Sequence, residues 1–432
     1  MPESPAILAP ERDSLSFAQL LEELESLSST FNGFGIGRGD AVAIVMPQSV
    51  EQNFLIMGLA VCATAVPLNP AYTQVEFEDQ FQSFEARGLL VEAGSSSPAV
   101  AAAQARGIPV FESTAQLDRP AGLSLVEWKT GSAPCAEARS ASFDSATPQD
   151  VALIVLTSGT TARSKPVPLT QENLCASVAM TKAQYDLSPA DRCVRIMPLF
   201  HVFGCIHQGF IPLLSGGSLV SLLDFAPARF ADVLREFSPT WFGATPTFHR
   251  AILDELARAP LPAEAKKVRF ILSGGSGGTA SLAAQADEIY QAPLIEAYGL
   301  SEGAGLSTAN PLGEGKQQPG SVGRGVGAEF GQEIAILGPG NKVLSPRKVG
   351  EVVIRGPNVF SGYLNMPEEN AQLFAGDWMR TGDLGELDAE GFLYLDGRVK
   401  EIINRGGEKI SPAGVDDALT MHSDVEAAVT FA

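Results

Sequence analysis

A hydroxyl-rich turn with the composition of an anion-binding loop follows an apolar segment of the chain. The segment Val151–Leu156 has the pattern of a buried strand, and it is followed by Thr157-Ser158-Gly159-Thr160-Thr161-Ala162-Arg163-Ser164-Lys165. Backbone N–H and hydroxyl groups in such a turn can donate hydrogen bonds to an anion, and Lys165 adds a positive charge. The turn differs from a P-loop because Ser164 stands where that motif requires glycine and Pro166 follows the lysine. A Walker-type ATPase is therefore disfavoured, and an ordinary Ser/Thr loop remains the alternative for this stretch alone.

Five further runs of polar and small residues could carry chemistry, although each has a structural alternative when it stands alone. Standing alone, four of these runs could be explained by a core histidine, a solvated glutamate, a turn aspartate and an arginine in a surface ion pair. The runs are Pro198-Leu199-Phe200-His201, Tyr298-Gly299-Leu300-Ser301-Glu302, Thr381-Gly382-Asp383, Gly397-Arg398-Val399-Lys400 and Gly406-Gly407-Glu408-Lys409-Ile410-Ser411-Pro412.

Together and in this order, the turn and the five runs resemble the signature motifs of the adenylate-forming enzymes: acyl-CoA synthetases, firefly luciferases and peptide-synthetase adenylation domains. The resemblance covers nearly the whole chain, and it is greatest for synthetases of the oxalate–CoA ligase type. It implies that ATP activates a carboxylic acid to an acyl-adenylate with release of pyrophosphate, and that the acyl group passes to a thiol. The implied cofactors are ATP and Mg²⁺, and the implied acceptor is CoA or the phosphopantetheine of a carrier domain.

The resemblance also implies roles for individual residues. His201 would separate the ATP and acyl pockets, Tyr298 would pack on adenine, and Asp383 would accept hydrogen bonds from the ribose hydroxyls. The catalytic residues would be His201, Glu302 and Lys165, with Glu302 as the Mg²⁺ ligand and Lys400 as the hinge. The residues expected to contact ATP or AMP are Thr157, Ser158, Gly159, Thr160, Thr161, Lys165, Gly275, Ser276, Glu296, Ala297, Tyr298, Gly299, Ser301, Asp383 and Arg398. The residues expected to line the acyl pocket are His201, Phe203, His249, Ser273, Gly274, Gly275, Gly299 and Gly303.

The sequence departs from the family pattern in several places. Ala162 and Pro166 replace glycines that are common in the phosphate loop, and alanine favours φ < 0 where glycine does not. The run Ser273-Gly274-Gly275-Ser276-Gly277-Gly278 differs from the Ser-Cys-Ser-Ala-Ser expected of oxalate ligases, so oxalate itself is not fixed as the acid. The segment at His201 lacks the Phe-Asp start of amino-acid-activating domains, which favours a plain carboxylic acid over an α-amino acid. His207 is expected to be structural.

The end of the sequence differs most from the family. Members carry a lid domain beyond the hinge, with a lysine in a Gly-Lys context, whereas 32 residues follow Lys400 here. Either the sequence is a segment of a longer protein or it is a shortened homologue, and in both cases we expect binding of ATP or AMP and the acid with slow turnover. Two alternatives stay open: an adenylation domain of a multidomain synthetase or carboxylate reductase, and a nucleotide- or metabolite-binding protein with weak or no turnover.

The elements that would position these residues alternate between helical and extended periods, which favours an α/β fold with parallel and mixed sheets flanked by helices. The predicted domains are an α/β core with two related sheet subdomains (1–320), a small antiparallel β-barrel-like subdomain (321–396), and a hinge with a truncated C-terminal lid (397–432). Small-residue-rich stretches at 94–105 and 132–148 are predicted to be surface loops. Predicted helices cover 17–31, 50–62 and 76–84, and predicted strands cover 40–46, 65–68, 88–91, 151–156, 268–272, 333–337, 350–355 and 391–395.

The composition excludes several classes of partner. The 432 residues carry a net charge of −20, which argues against broad nucleic-acid binding and against docking on an anionic membrane. The longest apolar stretch, 54–68, is shorter than the roughly 18–20 residues of a membrane span. Five scattered cysteines without zinc-like spacing fit a reducing compartment, and a cytoplasmic location is predicted. The identity of the acid, the thiol acceptor and the oligomeric state stay open.

Overall fold

The described part of the chain covers most of its length. The computed structural model describes residues 2–130, 146–157, 164–223, 225–258, 261, 267–275, 280–313, 316–401, 403–405 and 408–410, with 412, 415–416, 419, 425 and 428–431. The predictions for 158–161, for Ser276 and for nearly all of the loop at 132–148 lie outside these residues, as does most of the segment beyond 405.

The N-terminal part alternates strands and helices as predicted. Its elements are β1 (Pro5–Ala9), β2 (Arg12–Ser16), α1 (Phe17–Gly33), β3 (Ala41–Val45), α2 (Val50–Cys62), β4 (Thr64–Pro67), α3 (Gln74–Ser83), β5 (Gly88–Glu92), α4 (Pro98–Ala105), β6 (Val110–Ala115) and β7 (Ser124–Thr130). Ser16 and Gln19 form a capping box that starts α1, and the helix buries Leu20, Leu24 and Leu27 on one face. The three helices predicted in this part are confirmed, with boundaries that differ by at most two residues.

The prediction of a loop at 94–105 was wrong, because α4 occupies its second half. The Ser97 hydroxyl accepts a hydrogen bond from the Ala99 N–H at 3.2 Å, and Pro98 fills the first helical position. Ala102 and Ala103 are fully buried, which lets the helix lie close to the sheet. The small residues favoured a loop in the sequence, but alanine is the strongest helix former.

The middle of the chain supplies the strands whose ends carry most predicted site residues. These elements are β8 (Val151–Leu156), β9 (Pro166–Thr170), α5 (Gln171–Tyr185), β10 (Arg192–Val194), a π-helix (Phe203–Phe210), α6 (Ile211–Leu214), β11 (Ser218–Val220), α7 (Phe230–Phe237), β12 (Trp241–Ala244), α8 (Pro246–Arg258), β13 (Phe270–Ser273), α9 (Ala280–Tyr290), β14 (Leu294–Leu300) and β15 (Gly305–Ala309).

The C-terminal part is rich in short strands, as the sequence predicts. Its elements are β16 (Arg324–Gly325), β17 (Glu333–Leu337), β18 (Gly350–Arg355), α10 (Pro367–Leu373), β19 (Phe374–Ala375), β20 (Trp378–Leu387), β21 (Leu393–Arg398), β22 (Ile403–Arg405) and β23 (Glu408–Ile410). Strands β17 to β21 form one antiparallel sheet in the order β17-β18-β20-β19, with β21 also paired to β20. The small antiparallel unit of the predicted fold class is thereby confirmed.

Two larger sheets make up the α/β body. The first has the order β7-β6-β5-β3-β4-β8-β9, and it is parallel except at the antiparallel pairs β6–β7 and β8–β9. The second has the order β16-β15-β14-β13-β12-β10-β11-β1-β2, with antiparallel strands at both edges. Helix α2 buries almost its whole surface, and its residues share one hydrophobic core with strands of both sheets. The predicted α/β class is confirmed, and the predicted boundaries at 320 and 396 stay predictions.

None of the helices in the described part of the chain combines the length and the apolar composition that a membrane span requires.

Candidate active site

The hydroxyl-rich turn has a closed base. Strands β8 and β9 pair up to Leu156 and Pro166. The Thr157 N–H donates to the Lys165 carbonyl at 3.1 Å, and the Lys165 N–H donates to Thr157 Oγ1 at 3.2 Å. Ser158, Gly159, Thr160 and Thr161 lie between these bonds and outside the described residues. Both ends of the turn are therefore fixed to each other beside the carboxyl end of β8.

Tyr363 connects this turn to Glu302. The Lys165 Nζ lies 4.6 Å from the centroid of the Tyr363 ring, and the Tyr363 hydroxyl donates to Glu302 Oε1 at 2.6 Å. The next residue, Leu364, donates its N–H to the Pro166 carbonyl at 3.1 Å. Burial and the neighbouring Glu302 carboxylate raise the pKa of Tyr363, so the hydroxyl stays protonated and remains a donor.

The Glu302 carboxylate could take part in holding a divalent cation. Glu302 lies in a short 3₁₀ turn, Ser301–Gly303, directly after β14, and the Phe360 N–H donates to the Glu302 backbone carbonyl at 2.9 Å. Within the described ranges no cluster of three His, Cys, Asp or Glu residues could hold a metal by itself. A single carboxylate fits Mg²⁺, because that ion commonly takes one or two carboxylates and completes its shell with phosphate oxygens and water.

Asp383 is held between Tyr298 and Arg398. The Tyr298 hydroxyl donates to Asp383 Oδ2 at 2.6 Å, and Arg398 Nε lies 3.2 Å from Asp383 Oδ1. Strands β20 and β21 place Asp383 and Arg398 directly opposite each other. Burial raises the pKa of Asp383, while the bonds from Tyr298 and Arg398 oppose that rise. The carboxylate is thus buried but oriented by two donors.

Strand β14 joins these two groups. Tyr298, near its end, binds Asp383, and Glu302, four residues later, binds Tyr363. Tyr363 therefore connects the loop base at Lys165 to Glu302, Tyr298 contacts Asp383, and the backbone from Tyr298 to Glu302 joins the two sets. The structure brings together the described members of the predicted nucleotide site from β8, β14, β20 and β21.

Glycines let the strands around this point approach closely. A Cβ on Gly299 would overlap the carbonyl oxygen of Gly305, where β14 and β15 have a register shift. Ser301 and Gly303 belong to the turn that follows, and a Cβ on Gly303 would lie 3.1 Å from Ile354 Cδ1. Two other predicted residues, Glu296 and Ala297, precede Tyr298 in β14, and burial raises the pKa of Glu296.

The segment that leads to His201 is fixed by two buried polar side chains. Arg195 is fully buried and donates to the carbonyls of Ser49 and Leu222 and to two side-chain oxygens, and burial lowers its pKa to about 10. Gln208, in the π-helix, accepts from the Ile196 and Met197 N–H groups at 2.9 and 2.8 Å through one oxygen. Its amide nitrogen donates to the Gly243 carbonyl in β12. The backbone approaching His201 therefore has little freedom.

His201, just before the π-helix, and Phe203, its first residue, differ in exposure and in contacts. His201 is exposed, and its ring is tilted by 52° against that of Phe200, with ring centroids 4.5 Å apart. Phe203 packs on Gly243, because a Cβ added to Gly243 would come within 2.7 Å of the Phe203 ring. A Cβ added to Gly274 would lie 3.9 Å from the same ring. The predicted acyl-pocket residues Phe203 and Gly274 are thus neighbours at the ends of β12 and β13.

The remaining predicted residues lie around this region in different environments. Ser273 ends β13, and its buried hydroxyl has no partner among the described residues. Gly275 has φ +88° and would place a Cβ 3.4 Å from Thr245. His249, on α8, is buried near Phe242, with ring centroids 6.1 Å apart, and its Nε2 lies 2.8 Å from the Leu272 carbonyl. Lys400 is exposed just beyond β21.

Sequence reasoning missed two residues that organise the site. Tyr363 follows Gly362, whose φ is +140°, and this Gly-Tyr turn was the one available signal for it. Gln208 offered no signal, because its partners are backbone groups that only the fold brings together.

Comparisons with known proteins agree with this geometry. The sequence model of the family described as AMP-binding enzyme matches residues 1–364. The chain is 41% identical to an oxalate–CoA ligase of Arabidopsis thaliana over 443 aligned positions, which span 100% of this chain and 83% of that protein. The structure is similar to ATP-bound MatB from Rhodopseudomonas palustris, with a TM-score of 0.86, 26% identity, and coverage of 100% of this chain and 82% of that one. It is also similar to o-succinylbenzoate-CoA synthetase from Bacillus subtilis in complex with ATP and a magnesium ion, with a TM-score of 0.81, 25% identity, and coverage of 100% and 84%.

Proposed function

Because this chain belongs to the AMP-binding enzyme family, we propose that it is an adenylate-forming acid–CoA ligase. It activates a carboxylic acid with ATP, releases pyrophosphate and passes the acyl group to CoA. The observation that carries this proposal is the contact chain Lys165–Tyr363–Glu302 together with Tyr298–Asp383–Arg398. These contacts gather two cations, two carboxylates and the base of a hydroxyl-rich turn beside the end of β14.

The main difficulty of the reaction is that two anions must approach each other, and residues of the proposed site would lower that barrier. Donors at the turn that begins at Thr157, with the positive charge of Lys165, would hold phosphate oxygens and stabilise the charge that develops on them. Mg²⁺, held in part by Glu302 when it arrives with ATP, would neutralise phosphate charge. Asp383 would accept hydrogen bonds from the ribose, and Arg398 would help to fix the nucleotide.

The acid side of the proposed site begins at His201. Its exposed ring, just before the start of the π-helix, would separate the acid from ATP, and Phe203 would close the acyl pocket against Gly274. Ser273, Gly275, Gly299 and Gly303 remain proposed members of that pocket. His249 is the least direct of them, because its ring nitrogen is bound to a strand carbonyl in the core.

CoA is the acceptor that we propose, since the relative at 41% identity is named a CoA ligase. A carrier-domain phosphopantetheine is the alternative outcome of the acceptor test. We also propose a cytoplasmic location, which is supported by the unpaired state of the described cysteines, Cys62, Cys175, Cys193 and Cys205.

Acid-dependent exchange between pyrophosphate and ATP tests the proposal directly. We expect exchange with at least one acid of a broad panel, and thioester formation when CoA is added. A Glu302→Gln variant should lose Mg²⁺-dependent exchange while its fold is retained. AMP binding without exchange for any acid would instead support a nucleotide-binding protein without turnover, and phosphate release in place of pyrophosphate would exclude adenylation.

A further inference from the structure

The turn that carries Glu302 is held by a segment that comes later in the chain. This segment, residues 356–364, lies between β18 and α10. The Phe360 N–H donates to the Glu302 carbonyl at 2.9 Å, and the side-chain amide of Asn358 donates to the Gly303 carbonyl at 2.8 Å. Asn358 is fully buried, so loss of its amide would leave a carbonyl in the protein interior without this donor.

The same turn ends in a backbone conformation that is unfavourable for its residue. Ala304 has φ +50° and ψ +35°, in the left-handed region that residues other than glycine rarely adopt. Its N–H donates to the Ser301 carbonyl at 3.1 Å, and its carbonyl accepts from the buried hydroxyl of Ser177 at 2.7 Å. Three successive carbonyls, at positions 302, 303 and 304, therefore accept bonds from outside the turn, and these bonds support its strained end.

Helix α5 supplies Ser177 and, one turn earlier, a second polar side chain that faces the same way. Asn173 and Ser177 are four residues apart, so they lie on one face of the helix. The Asn173 Oδ1 accepts from the Thr170 N–H at 3.0 Å and caps the start of α5. The Asn173 Nδ2 donates to the carbonyls of Pro357 and Val359 at 2.8 and 3.1 Å. One face of α5 therefore holds both the turn and the segment that is bonded to it.

Helix α5 is also joined to the hydroxyl-rich turn. Strand β9, which returns from that turn, runs directly into α5. The Leu364 N–H donates to the Pro166 carbonyl in β9 at 3.1 Å, so the far end of the segment 356–364 is bonded to the base of the hydroxyl-rich turn as well. The turn proposed to hold phosphate and the turn that carries Glu302 are therefore connected through one helix and one segment, which sets the position of each relative to the other.

We propose that Ser177, Asn173 and Asn358 are positioning residues, which hold the backbone at Glu302 so that its carboxylate faces the phosphate groups of ATP and the Mg²⁺ that arrives with them. This inference rests on the proposed function, because it takes Glu302 as the ligand of the cation. The three residues act through backbone carbonyls of the turn or of the segment bonded to it. Supporting hydrogen bonds of this kind orient a cation ligand, and their loss lowers the affinity for the metal.

The variant Ser177→Ala tests the inference by calorimetry on the full chain without any acid. Binding of ATP with Mg²⁺ should weaken by about 2- to 10-fold, the range for one hydrogen bond, while binding of AMP without metal should stay within about twofold of the wild type. Ser321→Ala is the matched control, because it removes a buried hydroxyl that donates to the Leu393 carbonyl at 2.8 Å, and it should change neither affinity by more than about twofold. Equal weakening of both ligands by Ser177→Ala would make its role structural and overturn the inference.

The Glu302→Gln background supplies the second test, since a residue that acts through the Glu302 carboxylate should lose its effect there. Ser177→Ala should then weaken binding of ATP with Mg²⁺ by less than about 1.5-fold, and a loss of full size would overturn the inference. Asn173→Asp, which retains the capping acceptor but loses both donor bonds, and Asn358→Leu should show the same dependence on Glu302. Ser177→Ala decides the matter if either of these variants fails to fold.

Parallel measurement of pyrophosphate exchange separates this inference from the proposed function. If no acid supports exchange although the effect of Ser177→Ala depends on Glu302, the proposed function fails and the inference stands. If exchange occurs but the effect of Ser177→Ala is the same with and without the Glu302 carboxylate, the proposed function stands and the inference fails.

Discussion

The nucleotide side and the acid side of the site are built in different ways. On the nucleotide side, polar groups from separate sheets bind one another before any ligand arrives, as Tyr298 binds Asp383 and Tyr363 binds Glu302. On the acid side, close backbone contacts at glycines and the buried Gln208 amide hold the strands and the π-helix together. The first arrangement fixes charge in advance, and the second fixes the shape of the backbone around the proposed acyl pocket.

This difference predicts that changes on the acid side affect stability most, whereas changes on the nucleotide side affect affinity most. The buried amide of Gln208 gives the sharpest test of the acid side. The change Gln208→Leu leaves the Ile196 and Met197 N–H groups and the Gly243 carbonyl without their partner, and each such group costs about 1–3 kcal/mol. We expect the free energy of unfolding to fall by about 3 kcal/mol or more, measured by urea denaturation.

The same variant should also raise KM for the acid while the affinity for AMP stays near the wild-type value. Gln74→Leu is the control, since it removes an exposed amide that donates to Glu78 and should change stability by less than about 0.5 kcal/mol. If Gln208→Leu has the same free energy of unfolding as the wild type, the idea that this amide holds the π-helix to β12 is refuted.

Asp383 gives the corresponding test of the nucleotide side. Replacement by alanine removes the acceptor proposed for the ribose, so AMP binding should weaken by about 1.5–3 kcal/mol, which is roughly 10- to 150-fold. Calorimetric titration with AMP measures the change, and urea denaturation should show a smaller effect. A dissociation constant within about twofold of the wild-type value would remove Asp383 from the ribose site.

Tyr363 is expected to have a smaller effect of the same kind. Tyr363→Phe keeps the ring beside Lys165 but removes the hydroxyl that orients Glu302, so ATP binding with Mg²⁺ should weaken by about 0.5–1.5 kcal/mol. Binding of AMP without the metal serves as the internal control and should change less. An equal loss in both titrations would show that the tyrosine supports the nucleotide pocket in general and not the Glu302 carboxylate.

The smallest effect that we predict is a pH dependence. Burial raises the pKa of Asp383, and its ionised form is the better ribose acceptor, so affinity for AMP should be fully present at high pH. Affinity should start to fall at a higher pH than the ordinary aspartate pKa of about 3.9 would give. Titrations of the wild type and Asp383→Asn from neutral pH downward test this, because the variant should lack that part of the slope.

The residues proposed for the nucleotide side could be named from the sequence because they stand in short local runs, and the structure brings the described ones together. The turn after Leu156 and the runs ending at Glu302 and Asp383 each carry their chemistry within ten residues. Helices α1 to α3 and several strands, among them β8, β13, β17 and β18, followed from periodicity. The alanines of α4 resemble a loop in composition, and no pattern was assigned to β14 or β20, which carry Tyr298 and Asp383. Local pattern is sufficient where the function depends on residues adjacent in sequence.

The acid side could not be predicted to the same depth, because its determinants are contacts between distant segments. No pattern indicates that Gln208 binds Gly243, or that Gly305 leaves room for the ring of His207. His207 was predicted to be structural, and the fold buries its ring against Gly305 and Phe203. Glycines such as Gly299 mark such places in the sequence without saying what approaches them.

The π-helix from Phe203 to Phe210 makes this stretch sensitive to chain length. An α-helix turns by about 100° per residue, and the wider π-helix usually differs from it by one extra residue. A single deletion between 203 and 210 would allow relaxation to the ordinary helix, rotating His207 and Gln208 by roughly a quarter-turn relative to Phe203. A substitution here changes one side chain, whereas a one-residue indel would re-aim the whole face at once, so evolution of a new acid preference should proceed here by replacement and not by insertion or loss.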